Sequence, residues 1–350
     1  MTVHLKTVNG GAPARRYPFP FPYGWFVVGY GDQLARGQIK GVRYFDREMV
    51  LWRDQAGEAH CMDAVCPHLG AHFAHGGTVE GRCIRCPYHG WKYEANGALC
   101  EVPFSSLPKR PVSVATYPLI ERNDFLLMWF HPSGAPPEWD IPEIAQYHDR
   151  SYAGPVRPEW TIKTCWQEMT ENEADLSHFG LTHQEAYPAY MDRFEADGHF
   201  LRVLRLHWHK SPVGVMPVEI EQDNYGPGFV VTKFRSKQVT TCLVSGITPI
   251  DHDHVHVQFG LKVHKFRLRE RILAPLLTRK SMMTLVKESA LRQLDEDIGV
   301  WENKAYHERP LLAPEYDRFI PKLRKWCHQF YVQPDGARWV GREPREEVVR

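Results

Sequence analysis

Short apolar runs separated by turn residues fill the first third of the chain. The runs are rich in β-branched and aromatic residues, and turn signals such as Asp54-Gln55-Ala56-Gly57 and Glu94-Ala95-Asn96-Gly97 separate neighbouring runs. We predict strands at residues 24–29, 41–45, 49–53, 59–63, 91–93 and 125–130. This part of the chain is therefore predicted to be a small all-β domain.

A proline-rich stretch at 132–142 ends this pattern, and strands then mix with helical periodicity. Predicted strands cover 200–207, 229–234, 240–247 and 254–263, and predicted helices cover 167–181, 276–305 and 313–330. Antiparallel strands with helices to one side indicate an α+β domain. We expect four segments, which are an N-terminal arm (1–22), the all-β domain (23–135), the α+β domain (136–340) and a charged tail (341–350).

Composition and charge exclude several classes of function. A chain of 350 residues with a net charge of +1 has no basic field for nucleic acid, and it has no run of 18 apolar residues that could span a membrane. The first 16 residues lack the apolar core of a secretory signal, so we expect a cytoplasmic protein. The eight cysteines show no disulfide-scaffold spacing, which agrees with that compartment.

Two short segments of the all-β region combine cysteine with histidine. Cys66-Pro67-His68 and Cys86-Pro87-Tyr88-His89 each supply one thiolate and one imidazole, while Gly70 and Gly90 permit tight turns. A Rieske [2Fe–2S] cluster takes two thiolates on one iron and two imidazoles on the other, which gives potentials of about −150 to +300 mV. The alternative is a structural Cys2His2 zinc site. Zinc fingers usually pair like ligands, so the mixed motifs favour the cluster and one-electron chemistry.

A second set of metal-ligand residues lies in the predicted helix at 167–181. On an ideal helix Glu171, Asp175 and His178 fall within about 60° of one another, which predicts an acidic face. His183 lies roughly 140° round from His178, so both rings can reach one ion only if the helix bends or ends between them. Gly180 is the residue that would permit this, and we predict a break near Gly180.

Two histidines would need a carboxylate as a third metal ligand, and the helix predicted at 276–305 offers a candidate. Asp297 falls inside an arc of about 120° that is otherwise apolar, whereas Asp295 and Glu296 point out of that arc towards solvent. A carboxylate on an apolar face is costly unless it is paired or coordinated. Asp297 is therefore the candidate that completes a two-histidine, one-carboxylate iron site, and a buried Asp paired with an Arg is the alternative. The arc contains Met283, Val286, Leu294, Ile298, Trp301 and Ala305.

With these motifs in this order, the chain resembles the oxygenase component of the Rieske non-haem iron oxygenases. Segments 24–26, 297–304 and 324–331 are similar to the branch that holds 3-ketosteroid 9α-hydroxylase and the cholesterol 7-desaturases. The resemblance implies an α+β fold, in which an all-β Rieske domain precedes a helix-grip-like catalytic domain. It also implies ligand sets, which are Cys66, His68, Cys86 and His89 for the cluster and His178, His183 and Asp297 for Fe(II).

The same resemblance implies how electrons and substrate reach the iron. Asp175 would bridge His178 of its own chain to His89 of the next chain in a homotrimer, and Asn172 would lie close to the iron. The protein would be an O2-dependent monooxygenase that acts on a hydrophobic substrate, a sterol or a steroid, by hydroxylation, desaturation or oxidative demethylation. The chain shows no Gly-rich dinucleotide motif, so we expect electrons from NAD(P)H through a separate reductase or ferredoxin.

Three rival hypotheses remain open from the sequence. An oxygenase of this kind could act on an aromatic compound or another small organic acid. A pure electron carrier would use the cluster alone, and His178, His183 and Asp297 argue against it. A zinc-stabilised interaction module would use the same cysteines and histidines without redox chemistry.

Overall fold

The computed structural model describes residues 15–185, 187–211, 214–237, 240–264, 292–333 and 335–339. The charged tail, most of the N-terminal arm and the first half of the predicted helix at 276–305 lie outside these residues. Within the described part of the chain, no helix is both long and apolar enough to cross a membrane.

The first domain consists of three small antiparallel sheets, which confirms the all-β prediction. The sheets have the strand orders β1-β11-β10, β2-β3-β4-β9 and β5-β6-β7-β8. Strands β1 to β11 are Gly24–Tyr30, Ile39–Tyr44, Arg47–Arg53, Ala59–Asp63, Thr78–Glu80, Cys83–Arg85, Lys92–Glu94, Leu99–Glu101, Thr116–Tyr117, Leu119–Arg122 and Phe125–Phe130. The strands that the sequence did not predict are short, and they carry few apolar residues from which a period could be read.

The second domain is built on one antiparallel sheet of eight strands, which confirms the α+β class. Its order is β12-β19-β18-β17-β16-β15-β14, and β13 also pairs with β19. Strands β12 to β19 are Tyr152–Val156, Glu159–Ile162, Tyr190–Asp197, Phe200–Ser211, Gly214–Tyr225, Phe229–Arg235, Thr240–Pro249 and Val255–His264. The sequence predicted β15, β17, β18 and β19, but not β12, β13, the polar edge strand β14 or the charged β16.

The described helices of this domain are short. In chain order α1 is Ala145–His148, α2 is Trp166–Glu171 and α3 is His178–Leu181, α4 spans 292–303, and α5 is Ile320–His328. The continuous helix predicted at 167–181 is wrong, because the chain leaves helical geometry between α2 and α3. The helix predicted at 313–330 is confirmed only over α5, which has a proline in its first turn.

Strand β1 joins the two domains. The hydroxyl of Thr248 in β18 donates a hydrogen bond to the carbonyl oxygen of Val27, at 2.5 Å. A Cβ added to Gly246 would lie 2.4 Å from Cβ of Val27, so only glycine fits there. The first domain is therefore seated on the large sheet by backbone contact rather than through a flexible linker.

The acidic helix face predicted from Glu171 is wrong. The Glu171 carboxylate is buried and accepts two hydrogen bonds from Arg324 of α5, from Nε at 2.8 Å and from Nη2 at 2.9 Å. Burial alone would disfavour the charged form of Arg324, but the hydrogen bonds and charge of Glu171 raise the pKa of Arg324. Glu171 therefore joins α2 to α5 and is not directed towards a metal.

We expect Arg324→Met to lower the free energy of unfolding by about 3–5 kcal/mol, because the Glu171 carboxylate would remain buried without its partner. The control is Arg193→Met, which removes an ion pair with Glu195 at 3.6 Å whose side chains are 50% and 61% exposed. That loss should cost only about 0–1 kcal/mol. Urea unfolding followed by tryptophan fluorescence measures both, and equal midpoints for the two variants would contradict the structural role of Glu171.

Candidate metal centres

Two loops of the first domain have the same construction. In each loop a cysteine N–H donates to a carbonyl five residues on, from Cys66 to Ala71 at 2.8 Å and from Cys86 to Trp91 at 2.8 Å. The carbonyl of each cysteine accepts from a glycine, at 3.0 Å and 3.1 Å. Those glycines, Gly70 and Gly90, have φ of 78° and 72°, which confirms that the turns need residues that tolerate positive φ.

These loops bring the four predicted cluster residues together. The thiols of Cys66 and Cys86 are buried, and the ring centroids of His68 and His89 lie 4.6 Å apart. The His68 ring stacks on the indole of Trp91 with centroids 4.1 Å apart, whereas the His89 ring is exposed. One imidazole is thus held by packing and the other faces outwards.

The donor atoms fit a metal group at this place. Nδ1 of His68 is buried and has no hydrogen-bond partner among the described residues, which is costly unless something else satisfies it. Sγ of Cys66 lies 3.2 Å from the Tyr93 hydroxyl, a contact that would stabilise a thiolate. Two thiols and two imidazoles with one unsatisfied ring nitrogen match the needs of a [2Fe–2S] cluster of the Rieske type.

The second group of predicted ligands also converges, from two distant segments. Donor atoms of His178, His183 and Asp297 all lie within 4.8 Å of one another. Nε2 of His183 is 3.5 Å from Oδ2 of Asp297, and the two imidazole centroids are 5.2 Å apart. Two imidazoles and one carboxylate on one side of an ion would leave its other positions open.

The helix ends between the two histidines, as their geometry requires, one residue after Gly180. Oδ1 of Asp175 accepts from the backbone N–H of Ser177 at 3.0 Å and of His178 at 3.2 Å, which starts the new helix α3 after a gap. Gly180 is the third residue of α3, which ends at Leu181, so the predicted break near Gly180 is confirmed. His183 lies two residues beyond the end of α3, so its ring can turn towards His178.

Glu296 completes the site and was missed by the sequence reasoning, which placed it towards solvent. Its Oε2 accepts a hydrogen bond from Nδ1 of His183 at 2.9 Å. Burial lowers the pKa of His183, but the carboxylates of Asp297 and Glu296 outweigh burial and raise it overall. A carboxylate on the second ring nitrogen fixes the orientation of a metal-binding imidazole and leaves Nε2 for the ion.

His178 is oriented by the backbone rather than by a carboxylate. Its Nδ1 donates to the carbonyl oxygen of Asp175 at 2.9 Å, whereas the Asp175 carboxylate is 3.7 Å away. Burial raises the pKa of Asp175, but its hydrogen bonds to His178 and Ser177 lower it to about 2. Oδ1 of Asn172 accepts from the Trp301 indole at 3.3 Å, so this amide connects the α2 segment to α4.

A layer of buried polar side chains lies behind the site on the sheet. Arg205 of β15 lies over the ring of Phe179 at 5.0 Å, and its Nη1 donates to the carbonyl of Asn172 at 3.1 Å. Burial lowers the pKa of Arg205 to about 10 and raises that of Glu173 to about 7. Burial also lowers the pKa of His207, whose Nδ1 has no partner among the described residues, to about 4. Sequence periodicity on a strand cannot reveal these roles, since they depend on what covers the sheet.

Comparison with known proteins yields two family matches. Residues 24–118 match the Rieske [2Fe–2S] domain, and residues 128–331 match the 3-ketosteroid 9α-hydroxylase C-terminal domain. A cholesterol 7-desaturase of Caenorhabditis elegans is 31% identical over 354 residues, covering 90% of this chain and 78% of that protein. The oxygenase component of a 3-ketosteroid-9α-monooxygenase of Rhodococcus rhodochrous is 28% identical over 348 residues, covering 94% and 88%.

Solved structures share the fold at low sequence identity. NdmA of Pseudomonas putida CBB5 with caffeine superposes with a TM-score of 0.67 at 20% identity, covering 87% of this chain and 89% of that one. Dicamba monooxygenase bound to dicamba has a TM-score of 0.63 at 18% identity, covering 88% and 97%. At such identities the likeness establishes the architecture alone.

We expect Glu296→Ala to weaken metal binding at the His178, His183 and Asp297 site about 10–100-fold, because the His183 ring loses its orienting carboxylate. Glu296→Gln should restore part of the affinity, since the amide oxygen can still accept the hydrogen bond. The control is Asp295→Ala, which removes an exposed neighbour on the same helix. Equilibrium dialysis with Fe(II) or Co(II) measures the affinity, and equal binding by the two alanine variants would refute the role of Glu296.

Proposed function

Because the chain belongs to the Rieske oxygenases that carry a 3-ketosteroid 9α-hydroxylase C-terminal domain, we propose that it oxidises a sterol or a steroid. The protein is the oxygenase component of a multicomponent oxidoreductase. Such enzymes use a Rieske cluster, a mononuclear iron, dioxygen, and electrons that come from NAD(P)H through a reductase. The substrate class and the residues that bind the metals are our proposals.

We assign the metal groups to the residues that converge in the fold. Cys66, Cys86, His68 and His89 would hold the cluster, which the unsatisfied Nδ1 of His68 supports. His178, His183 and Asp297 would hold the iron, which their donor separations of less than 4.8 Å support. When bound, the cluster supplies single electrons and the iron supplies open coordination positions for oxygen chemistry. The three-residue site carries the conclusion, because a pure electron carrier has no use for it.

Protein residues orient this chemistry and keep it dry. Glu296 holds Nδ1 of the His183 ring, and the Asp175 carbonyl holds Nδ1 of the His178 ring, so Nε2 of each ring would be left for the ion. Phe179 packs between those rings and the Arg205 guanidinium. Apolar cover of this kind excludes water from the metal and strengthens the electrostatic interactions around it.

The described residues around the site favour a neutral substrate over a small organic acid. Arg205 directs Nη1 to the carbonyls of Asn172 and Glu173 and Nη2 to Gln222, so these donors are not presented to a substrate carboxylate. His207 is neutral near pH 7, because burial lowers its pKa to about 4. A neutral imidazole suits the single oxygen of a sterol or ketosteroid better than it suits an anion. The two named relatives act, by their names, on cholesterol and on a 3-ketosteroid.

We expect the purified protein, supplied with NADH, a generic reductase and ferredoxin, and oxygen, to convert a member of a sterol and 3-ketosteroid panel. The product should be heavier by one oxygen atom or lighter by two hydrogen atoms. His183→Ala should abolish conversion and lose the non-cluster iron, but keep the visible absorbance of the cluster. Mass spectrometry and iron assay provide the readouts. Turnover of aromatic acids with no turnover of any steroid would overturn the proposed substrate class.

We further propose a homotrimer in which electrons pass between chains. His89 is exposed, as a cluster ligand that faces a neighbouring subunit must be, and the Asp175 side chain is 32% exposed beside His178. Asp175 could therefore accept a hydrogen bond from His89 of an adjacent chain. His89 and Asp175 would not need to be exposed if each served only its own subunit.

A mixed oligomer distinguishes transfer between chains from transfer within one chain. His89→Ala and His183→Ala proteins should each be inactive, since one lacks the cluster and the other lacks the iron. Co-expressed with different tags and purified through both, they should regain turnover, because an intact cluster would lie beside an intact iron site of the neighbour. Light scattering should give three times the 40.6 kDa chain mass for every sample. An inactive mixed trimer would exclude transfer between chains.

Two further proposals concern the domain limits and the cellular location. We propose domain limits of 23–135 for the Rieske domain and 136–340 for the catalytic domain, which the sheet membership of the described strands supports. We also propose a cytoplasmic location. All eight cysteines are free thiols, which is the state that a reducing compartment maintains.

A further inference from the structure

Two thiols that take no part in the metal centres lie in contact on the cluster domain. Sγ of Cys83 in β6 is 3.5 Å from Sγ of Cys100 in β8. These strands flank β7, and Cys100 occupies an irregular position, because Lys92 pairs with Glu101 while the next residue of β7 pairs with Leu99. This bulge lets the Cys100 side chain reach across β7 towards Cys83.

The pair differs from the other cysteines outside the cluster loops in that the two sulfur atoms are in contact. Cys83, Cys100 and Cys165 are partly exposed, whereas Cys61, Cys242 and Cys327 are buried. Burial and the neighbouring Cys83 raise the pKa of Cys100 to about 12. The Cys100 thiol also donates its proton to the carbonyl oxygen of Lys92 at 3.4 Å, so we assign Cys83 as the attacking sulfur of the pair. A thiolate with an adjacent thiol is the arrangement found in redox-sensitive cysteine pairs.

We propose that Cys83 and Cys100 are a reversible oxidation site that takes a hydroperoxide as oxidant and closes to a disulfide. The Cys83 thiolate attacks the O–O bond of hydrogen peroxide, which gives a sulfenic acid and, after protonation, one water. The Cys100 sulfur then attacks Cys83, forms the S–S bond, and releases the second water with its own proton. Two thiols lose two electrons and the peroxide gains them. The sulfur atoms must approach from 3.5 Å to about 2.0 Å.

The Cys83–Cys100 disulfide would enclose the segment that carries two of the four proposed cluster ligands. The two cysteines are 17 positions apart, and the loop that they would close contains Cys86 and His89. Closing such a loop restricts the unfolded chain, so the oxidised domain should unfold at a higher temperature. Oxidation would thereby strengthen the strands on either side of the second cluster loop.

The test treats the cluster-loaded protein with a small molar excess of hydrogen peroxide and then alkylates the remaining thiols. We expect a mass lower by two hydrogen atoms, loss of alkylation at Cys83 and Cys100 only, a linked peptide that contains both, and full reversal by dithiothreitol. Visible absorbance checks that the cluster is intact. Complete alkylation of both cysteines after peroxide, with the cluster intact, would overturn the proposal.

Single variants assign the order of the two steps and provide the control. Cys100→Ser should accumulate a sulfenic acid at Cys83 that dimedone traps, and Cys83→Ser should give no adduct at Cys100. Cys165→Ala removes a thiol outside the pair and should still form the bridge. A dimedone adduct at Cys100 in Cys83→Ser that equals the adduct in the reciprocal variant would refute Cys83 as the attacking sulfur.

Discussion

The carboxylate of Asp297 lies on the inner face of α4, where a charge is stable only if it is coordinated or paired. The surrounding structure places the imidazoles of His178 and His183 beside this carboxylate. The arm residue Arg16 donates to the carbonyl of Lys304 at 2.6 Å just after α4, and the Trp301 indole donates to Asn172 at 3.3 Å. These contacts fix α4 against the α2 segment, and His178 and His183 follow that segment within a few residues. The position of one helix thus decides whether a three-ligand site exists.

The two metal centres depend on different kinds of structure. The cluster loops are local, because each encloses one cysteine with a backbone hydrogen bond on either side and a glycine of positive φ. The proposed iron site is non-local, since Asp297 and the histidines are more than one hundred residues apart and meet only through packing. A local motif can be recognised in the sequence by its fixed spacing. For a non-local motif the sequence shows only the residue types, and the fold decides whether they meet.

Errors of the sequence analysis follow the same division. The longer apolar strands and the glycine turns of the two Cys–His loops were predicted, because alternation and turn residues act over a few positions. The helix end near Gly180 was predicted, but the gap before α3 was not, because the Asp175 side chain makes that gap by accepting hydrogen bonds from the N–H groups of Ser177 and His178. Glu171 was assigned to the metal face, yet it pairs with Arg324, which is 153 positions away. Glu296 was assigned to solvent because the periodicity of a helix does not show which side chain from another segment packs beside it. In the structure that side chain is His183.

The sequence by itself determined the fold class, the cluster loops and the identity of the three residues proposed to hold iron. Ligand chemistry permits few residue types, and spacing limits their number further. Only the tertiary structure decided which carboxylates lie at the proposed iron site, which one joins two helices, and which two thiols come within 3.5 Å across a third strand. Those outcomes depend on distances between segments that are remote in the chain, and burial sets the energy of each charge there. No periodicity along a single segment contains that information.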